Sequence, residues 1–326
     1  LKTKSEAFNY GNGVAPLFAA IAKSCKLNAG TILFPQGAYG YFYATSKFYD
    51  VNTIIIQTDL EDSFKVSKDQ LIHSLEGIKN PHLFLNFPLV NPTGALYTDK
   101  EIEELFTLFI SEEVTVIIDT VFSGLEFNGV QRIDLNKYAE KGLKFALIGG
   151  VSKEFSAGGL RFGFAITDHL EYKQAFESYV IDQPHFSILH TSKRLYRLLN
   201  EKNTDLMTDL SNQQSKLKER CLELTTVLQA LGWNVLPPNG GLFLVAKPDK
   251  YIGLKIKIND KQITISSSNI NEALFYSVDL LINNDVWTGI PGYCRFVLSV
   301  EEPVFKDALN KLQAFDSLFE QENGIN

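Results

Sequence analysis

Several residue types that mark special classes of protein are scarce in this chain. Its 326 residues include three cysteines, one methionine, two tryptophans and five histidines. Cysteines that are few, odd in number and far apart argue against a disulfide framework and fit a reducing compartment, so we expect a cytoplasmic location. The scattered histidines show no spacing typical of a zinc site, so we expect no structural metal.

The chain also lacks an excess of positive charge and a long apolar run. Its formal net charge of −7 at pH 7 provides no broad cationic field for nucleic acid or for an anionic membrane surface. No apolar run approaches the roughly 18 to 20 residues of a membrane span. What is present is ordinary globular composition, with 45% hydrophobic and 21% charged residues, in a length typical of about two domains.

Helical and strand patterns alternate through the first part of the chain. Short, uniformly apolar strands are predicted at His82–Phe87 and Val114–Ile118, with helices between them. Strands that are apolar on both faces are typical of a sheet covered by helices on both sides, so we expect an α/β fold with a mostly parallel sheet. A long helical pattern over Asp205–Leu231 then leads into an α+β pattern. We therefore expect a large domain at 1–203 and a smaller C-terminal domain at 204–326.

Polar and basic residues follow these strands, at the edge of the sheet where ligands bind in open α/β folds. Asn91 opens an Asn-Pro-Thr-Gly segment after the first strand, and Asp119 follows the second. Ser152 and Lys153 follow a third strand at Phe145–Gly149. Taken singly, each has an ordinary explanation as a turn, a cap or a solvated lysine. Because Lys153 lies between an apolar strand and a run of small residues, we expect it to be buried and therefore nucleophilic.

The order of these residues resembles the signature of fold-type I aminotransferases, which use pyridoxal 5′-phosphate. The matching segments are Asn-Pro-Thr-Gly, then Asp, then Ser-Lys followed by Gly-x-Arg-x-Gly, in which the arginine is Arg161. The resemblance covers nearly the whole chain and implies the fold-type I architecture. It also implies an enzyme that acts on a small amino acid and a 2-oxo acid, and that forms a homodimer.

The resemblance implies a role toward the cofactor for each matching residue. Lys153 is implied as the amine that attaches to the cofactor's aldehyde and later acts as general base. Asp119 is implied as the partner of the pyridine nitrogen, and Asn91 as a donor to the phenolate oxygen. The remaining implied positions are the phosphate ligands Ser152 and Arg161, the helix-opening amides of Gly13, Val14 and Ala15, and the stacking ring of Tyr39.

The resemblance also assigns a substrate-binding arginine and reveals two departures. Arg295 lies late in the smaller domain, and its implied role is to bind the substrate carboxylate together with Asn91. Phe122 stands where the family usually has a tyrosine that donates to the phenolate oxygen. An N-terminal arm and first helix are missing, and the chain begins at Leu1 without methionine. We therefore expect it to be the back part of a longer polypeptide.

Two longer strings are similar to one subgroup, the C-terminal aminotransferase-like region of methionine S-methyltransferases. They are Ile118–Phe127 and Trp287–Phe296. Three interpretations follow: an aminotransferase-like module, a regulatory or structural module that binds a methionine-like ligand without turnover, and a related lyase or decarboxylase on the same fold. Lys153 with Asp119 favours the first and third interpretations, while Phe122 favours the second.

The segment Gly11-Asn12-Gly13 has some likeness to a dinucleotide-binding loop. It lacks the third glycine of that motif, and the sequence pattern predicts no strand before it. We therefore predict no dinucleotide site at this position.

Overall fold

The computed structural model describes residues 6–11, 13–129, 133–182, 189–201, 203–258 and 260–323. The chain forms two compact units, one made of residues 1–91 and 95–213 and the other of residues 92–94 and 214–326. This boundary falls later than the one expected at 203/204. Both positions lie within a single helix, Asn203–Ala230, so the division falls inside that helix.

The first unit is organised around a sheet whose strands are β1 (Glu6–Gly11), β2 (Thr31–Pro35), β3 (Asn52–Ile56), β4 (Pro81–Asn86), β5 (Thr115–Asp119), β6 (Phe145–Gly150) and β7 (Phe162–Thr167). Within the described residues the strands lie in the order β1-β7-β6-β5-β4-β2-β3. Strands β3, β2, β4, β5 and β6 run parallel to one another, while β7 is antiparallel to both β6 and β1. The expectation of a mostly parallel α/β sheet is confirmed.

Helices pack on both faces of this sheet. One face carries α1 (Ala15–Leu27), α2 (Gly40–Phe48) and α6 (Leu170–Asp182), and the other carries α3 (Lys68–Leu75), α4 (Asp99–Ser111) and α5 (Leu135–Ala139). The unit also contains α7 (Leu189–Glu201) and the start of α8 (Asn203–Ala230). Successive residues of β4 belong to hydrophobic clusters on opposite faces of the sheet. Phe84 packs in one cluster with Phe18 of α1, and Leu85 packs in the other with Phe106 of α4. Burial on both faces explains why the strands read as uninterrupted apolar runs.

Local sequence signals fix where several helices begin. Ser67 caps α3: its hydroxyl accepts a hydrogen bond from the amide of Gln70, and the Gln70 side chain accepts one from the amide of Ser67. Thr98 and Glu101 form the same reciprocal pair at the start of α4. Each pair satisfies amides that have no partner inside the helix.

Strand β1 was not predicted, and the expectation that no strand precedes Gly11-Asn12-Gly13 is wrong. β1 pairs antiparallel with β7, with Gly11 opposite Phe162. Because its partner is distant in sequence and it lies at the edge of the sheet, a local pattern carries little information about this strand. The third glycine of the dinucleotide motif is still absent.

The second unit contains the rest of α8, β8 (Asn234–Leu236), β9 (Phe243–Lys247), β10 (Lys255–Ile258), β11 (Lys261–Thr264), α9 (Ile270–Val278), α10 (Asp285–Thr288), β12 (Cys294–Val297) and α11 (Glu302–Asn323). Its three-stranded antiparallel sheet has the order β12-β9-β8, and β10 pairs with β11. The buried guanidinium of Arg220 donates to the carbonyl of Leu298, pairs with Glu302 at 2.8 Å, and lies over the ring of Phe305. These contacts hold α8 against the start of α11. Across the described helices, none has the length and apolarity needed to cross a bilayer.

A buried polar cluster lies at the amino end of the first unit's central strands. His82, the second residue of β4, is fully buried, and its Nδ1 shares a hydrogen bond of 2.6 Å with the hydroxyl of Tyr172 on α6. A Cβ added to Gly30 would come within 2.7 Å of His82 Nε2, so the ring is tightly enclosed. Burial, with smaller contributions from His169 and Lys144, lowers the pKa of His82 to about 3.

This cluster predicts a loss of stability in acid. An unfolded histidine has a pKa near 6.5, so below that pH the unfolded chain binds a proton that the folded chain excludes, and stability falls as pH falls toward 3. At about 1.4 kcal/mol per pKa unit, His82 should remove on the order of 2 kcal/mol of unfolding free energy between pH 6.5 and pH 5. We expect His82→Gln to lessen this loss, measured by urea unfolding at both pH values.

His73→Gln is the matched control for this prediction, because the His73 side chain is 85% exposed. It should leave the difference in unfolding free energy between the two pH values unchanged. Equal pH dependence in wild-type and His82→Gln protein would contradict the assignment of the acid loss to His82.

Candidate functional site

The register of the parallel strands brings their carboxyl ends together. Asn86 at the end of β4 lies opposite Asp119 at the end of β5, and Asp119 lies opposite Ile148 of β6. Gly150 at the end of β6 lies opposite Gly163 of β7. The segments that follow these ends carry the residues singled out from the sequence, and this is the edge where open α/β sheets bind ligands.

Asp119 is a buried acid at the centre of this edge, with 3% of its surface exposed. Its Oδ1 accepts the amide of Val121 and its Oδ2 accepts Nδ2 of Asn86, each at 3.1 Å. Burial raises the pKa of Asp119 to about 7, against the lowering effect of these two hydrogen bonds. A cation placed against this carboxyl group would therefore shift it to the charged form and be held strongly.

Asn86 is a site residue that sequence reasoning missed. It was included in the apolar strand predicted at His82–Phe87, with no role of its own. In the structure its side chain is buried and donates to Asp119. The available signal was an amide at the end of an otherwise apolar strand, because a buried polar group needs a partner.

Asn91 lies beyond β4, in the first unit, and is half-buried. Its Oδ1 is buried and has no hydrogen-bond partner within the described chain. A buried amide oxygen without a partner costs free energy in the absence of a ligand. A group that supplies the missing bond would remove that cost.

The Arg161 guanidinium lies over the start of α1. Arg161 has a positive φ of 50° and donates from Nη1 to the carbonyl of Gly158 at 3.2 Å. A Cβ at Gly13 would come 3.1 Å from Nη2 of Arg161. Val14 caps α1 without a side-chain hydrogen bond, and the first amides of a helix have no acceptor inside it. Together, a guanidinium group and a helix N-terminus form a binding site for an anion such as phosphate.

The three amides predicted as phosphate donors differ in the structure. The amide of Gly13 donates to the carbonyl of Arg161 at 3.1 Å, and this bond fixes the approach of the two segments. A Cβ at Gly163 would lie 2.3 Å from the carbonyl oxygen of Gly13, so only glycine at 163 allows this approach. The amides of Val14 and Ala15 lie at the start of α1, where amides can donate to a bound anion.

Lys153 does not have the environment expected for it. We expected burial, whereas Lys153 is exposed and Ser152 is half-buried. The physical reason is that both lie in a turn beyond the end of β6, closed by hydrogen bonds from Ala157 to Val151 and from Ser156 to the carbonyl of Lys153. The small residues after the turn have no side chains large enough to cover the amine.

The two aromatic positions also differ in environment. Tyr39, the expected stacking ring, precedes α2, is 47% exposed, and contacts Phe42 edge-on at 5.3 Å between centroids. Phe122 is buried, in the turn that follows Asp119. The phenyl ring of Phe122 carries no hydroxyl group, so the second donor of the family pattern is absent from this turn.

Arg295 belongs to the second unit and is half-buried on β12. Its Nε and Nη2 donate to Oδ1 of Asn283 at 3.2 and 3.0 Å. Phe243 and Trp287 place their ring centroids 4.1 and 4.4 Å from its guanidinium carbon. The predicted carboxylate-binding group is therefore held in a defined orientation.

The residues of the first unit fit pyridoxal phosphate. The group carries an anionic phosphate, a pyridine nitrogen that can be cationic, and a phenolate oxygen. The arginine over the helix start matches the phosphate, and the buried acid matches the nitrogen. The partnerless atom of Asn91 is Oδ1, a hydrogen-bond acceptor, so it does not match the phenolate oxygen, which also accepts. No cluster of three or more metal-binding side chains occurs in the described ranges.

The chain is similar to known proteins in sequence and in fold. The chain is 33% identical over 95% of its length to methionine S-methyltransferase of Zea mays, and 32% identical over 96% to that of Arabidopsis thaliana. It spans only 29% and 30% of those relatives. The chain is also similar in fold to the crystal structure of aspartate aminotransferase from Rhizobium meliloti, with a TM-score of 0.83 and 18% sequence identity. The match covers 96% of this chain and 76% of the aminotransferase chain.

The family model for aminotransferase class I and II matches residues 1–288. This match covers most of both units, and the structural likeness supports the fold-type I architecture. The chain belongs to the aminotransferase class I and II family.

Proposed function

We propose that this chain is a pyridoxal-phosphate-dependent module with aminotransferase-like chemistry toward a small amino acid and a 2-oxo acid. The proposal rests on one observation: a buried acid with a raised pKa and an arginine over the start of a helix both lie at the same edge of the sheet. These two groups complement the opposite ends of the cofactor. An inert scaffold has no reason to bury Asp119 at a cost in stability.

Each residue then has a distinct task. When bound, the cofactor acts as an electron sink for the amino acid's α-carbon. Arg161, Ser152 and the amides of Val14 and Ala15 hold the phosphate. Asp119, oriented by Asn86, would hold the ring nitrogen and its proton, and Lys153 would supply the amine for the aldehyde and a base for the α-proton. The exposure of Lys153 leaves that amine accessible to the aldehyde.

The first test is covalent labelling of Lys153. Borohydride reduction of the chain with pyridoxal phosphate should fix the cofactor to this lysine, and peptide mass mapping should locate the added mass there. We expect Lys153→Ala to abolish the label. Lys100→Ala is the matched control, because the Lys100 side chain is 85% exposed and lies 3.8 Å from Glu104 on the same helix. Label that persists in Lys153→Ala would overturn the proposal.

A second test uses the linkage between Asp119 and stability. Because the folded pKa of Asp119 is about 7, above the unfolded value of 3.8, its contribution to stability is present in acid and is lost as pH rises toward 7 and beyond. We expect Asp119→Asn to stabilise the chain without cofactor by on the order of 4 kcal/mol at pH 8, and little at pH 4. Urea unfolding measures both values.

The same variant should respond less to the cofactor. Pyridoxal phosphate should raise the unfolding free energy of the wild-type chain more than that of Asp119→Asn, which has no anion for the ring nitrogen. Asp260→Asn is the control, since the Asp260 side chain is 94% exposed, and it should change neither quantity. An equal response of Asp119→Asn and wild type to the cofactor would contradict the role of Asp119.

A second candidate function is binding without turnover, and Phe122 favours it. Loss of a donor to the phenolate oxygen weakens the electronic tuning that transamination needs. We expect Phe122→Tyr to increase the rate at which an amino acid is converted to its 2-oxo acid, by about tenfold or more. If neither protein forms 2-oxo acid from methionine or alanine while both bind the cofactor, the binding module is supported instead.

We also propose an oligomeric state and a cellular location for the protein. A homodimer and a cytoplasmic location are proposed from the family resemblance and from the cysteines, whose three thiols are free and buried. The methionine S-methyltransferases named among the relatives are much longer than this chain. We propose that the chain has the same function as the region of those proteins that it matches.

A further inference from the structure

Two neighbouring turns in the first unit carry the acid and the amine of the proposed site. The turn after β5 follows directly on Asp119, and the turn after β6 carries Lys153. Asp119 lies opposite Ile148 of β6, so the two turns leave the sheet side by side. Because the Lys153 side chain is exposed, the position of its amine depends on the turn that carries it. The contacts between the two turns therefore decide how Lys153 lies relative to Asp119.

The side chain of Glu154 lies against Gly124 of the neighbouring turn. A Cβ added to Gly124 would lie 2.5 Å from Oε1 and 2.9 Å from Cδ of Glu154. Gly124 also has a positive φ of 90°, which residues with a side chain rarely adopt. Glu154 is half-buried and directly follows Lys153. Its contact with Gly124 thus joins the lysine's own turn to the turn that follows Asp119.

A second contact of the same kind runs in the opposite direction. Thr120 directly follows Asp119, and its Oγ1 donates to the carbonyl of Ile148 at 3.1 Å. A Cβ added to Gly149 would lie 2.7 Å from this oxygen. A side chain from each segment therefore occupies the space over a glycine of the other, at Gly149 and at Gly124. Two separate contacts restrict the rotation of one segment about the other, which a single contact would leave free.

The turn of Lys153 is held together by its main chain. The amide of Ser156 donates to the carbonyl of Lys153, and the amide of Ala157 donates to the carbonyl of Val151, each at 3.2 Å. Ser156 has a positive φ of 50°, a conformation that persists only where surrounding contacts hold it. Because the turn is closed in this way, a displacement of Glu154 is passed on to Lys153.

We propose that Glu154 is a positioning residue, which holds the turn of Lys153 against the turn of Asp119 through its contact with Gly124. This inference rests on the proposed function, because its effect is on how the lysine amine meets the aldehyde of the cofactor. Glu154 acts through Lys153, by the space that its side chain fills. A glutamine has the same shape and would fill that space equally well.

The experiment separates attachment of the cofactor from its binding. Wild type, Glu154→Ala and Glu154→Gln are mixed with pyridoxal phosphate, borohydride is added after different times, and the label on Lys153 is quantified by peptide mass mapping. In attachment the amine nitrogen bonds to the aldehyde carbon, and the aldehyde oxygen leaves as water with the two amine protons. Borohydride then delivers hydride to that carbon. Pyridoxine 5′-phosphate has an alcohol in place of the aldehyde, so it measures binding without attachment.

The two variants at position 154 should differ from each other. We expect Glu154→Ala to slow the labelling of Lys153 about tenfold, because a displaced amine meets the aldehyde less often in a reactive geometry. Its affinity for pyridoxine 5′-phosphate should stay within about twofold of wild type, and Glu154→Gln should label within about twofold of the wild-type rate. Glu177→Ala, at an exposed position on α6, is the control and should label like wild type.

A measurement on the chain without cofactor tests whether the effect is one of position. Acetic anhydride acylates an exposed amine from any direction, so the rate of acetylation of Lys153 reports the reactivity of the amine itself. We expect equal rates in wild type and Glu154→Ala. A fall in acetylation as large as the fall in cofactor labelling would overturn the positioning role, because it would show that the charge of Glu154 acts on the amine.

The remaining outcomes distinguish this inference from the proposed function. Equal labelling of Lys153 in wild type and Glu154→Ala would overturn the positioning role and leave the proposed function standing. A parallel loss of labelling and of pyridoxine 5′-phosphate affinity in Glu154→Ala would also overturn it, since a merely structural residue behaves in that way. Absence of label on Lys153 in the wild-type chain would overturn the proposed function, and this inference with it.

Discussion

Burial of one carboxyl group at the end of the central strands is the constraint on which the site depends. Asp119 ends β5 in register with Asn86 of β4, and the two side chains are joined by a hydrogen bond. The sheet therefore carries a carboxyl group that is shielded from water, and this burial makes its charged form less favourable. Such a group is poised for a cationic partner, and the strand register gives that partner a fixed position.

The opposite end of the proposed cofactor site depends on glycine. Gly163 allows the chain at Gly13 to come close, and the resulting bond between Gly13 and Arg161 sets the arginine over the start of α1. The Gly-x-Arg-x-Gly pattern thus has a physical meaning beyond a family signature. Its second glycine permits the contact, and its arginine provides the charge. Arg295 in the second unit is held in a different way, by contacts with two aromatic rings and a hydrogen bond to one neutral amide.

Much of the fold could be predicted because its signals are local. Strands β4 and β5 were placed within a residue or so, since an apolar run is read directly from neighbouring residues. Strand β1 was missed because its only support is pairing with β7, far along the chain. The expected burial of Lys153 was wrong because the residues around a lysine do not reveal the path of a turn beyond the sheet.

The sequence by itself determined the α/β alternation, the family resemblance and most of the candidate site residues, since these depend on residue type and order. Only the tertiary structure decided which of those residues meet. Asn86 meets Asp119 through the register of two strands, Asn283 meets Arg295 through a bridge to β12, and Asp119 acquires its raised pKa from burial. Each of these properties depends on contacts between residues far apart in the chain, and such contacts form only when the chain folds.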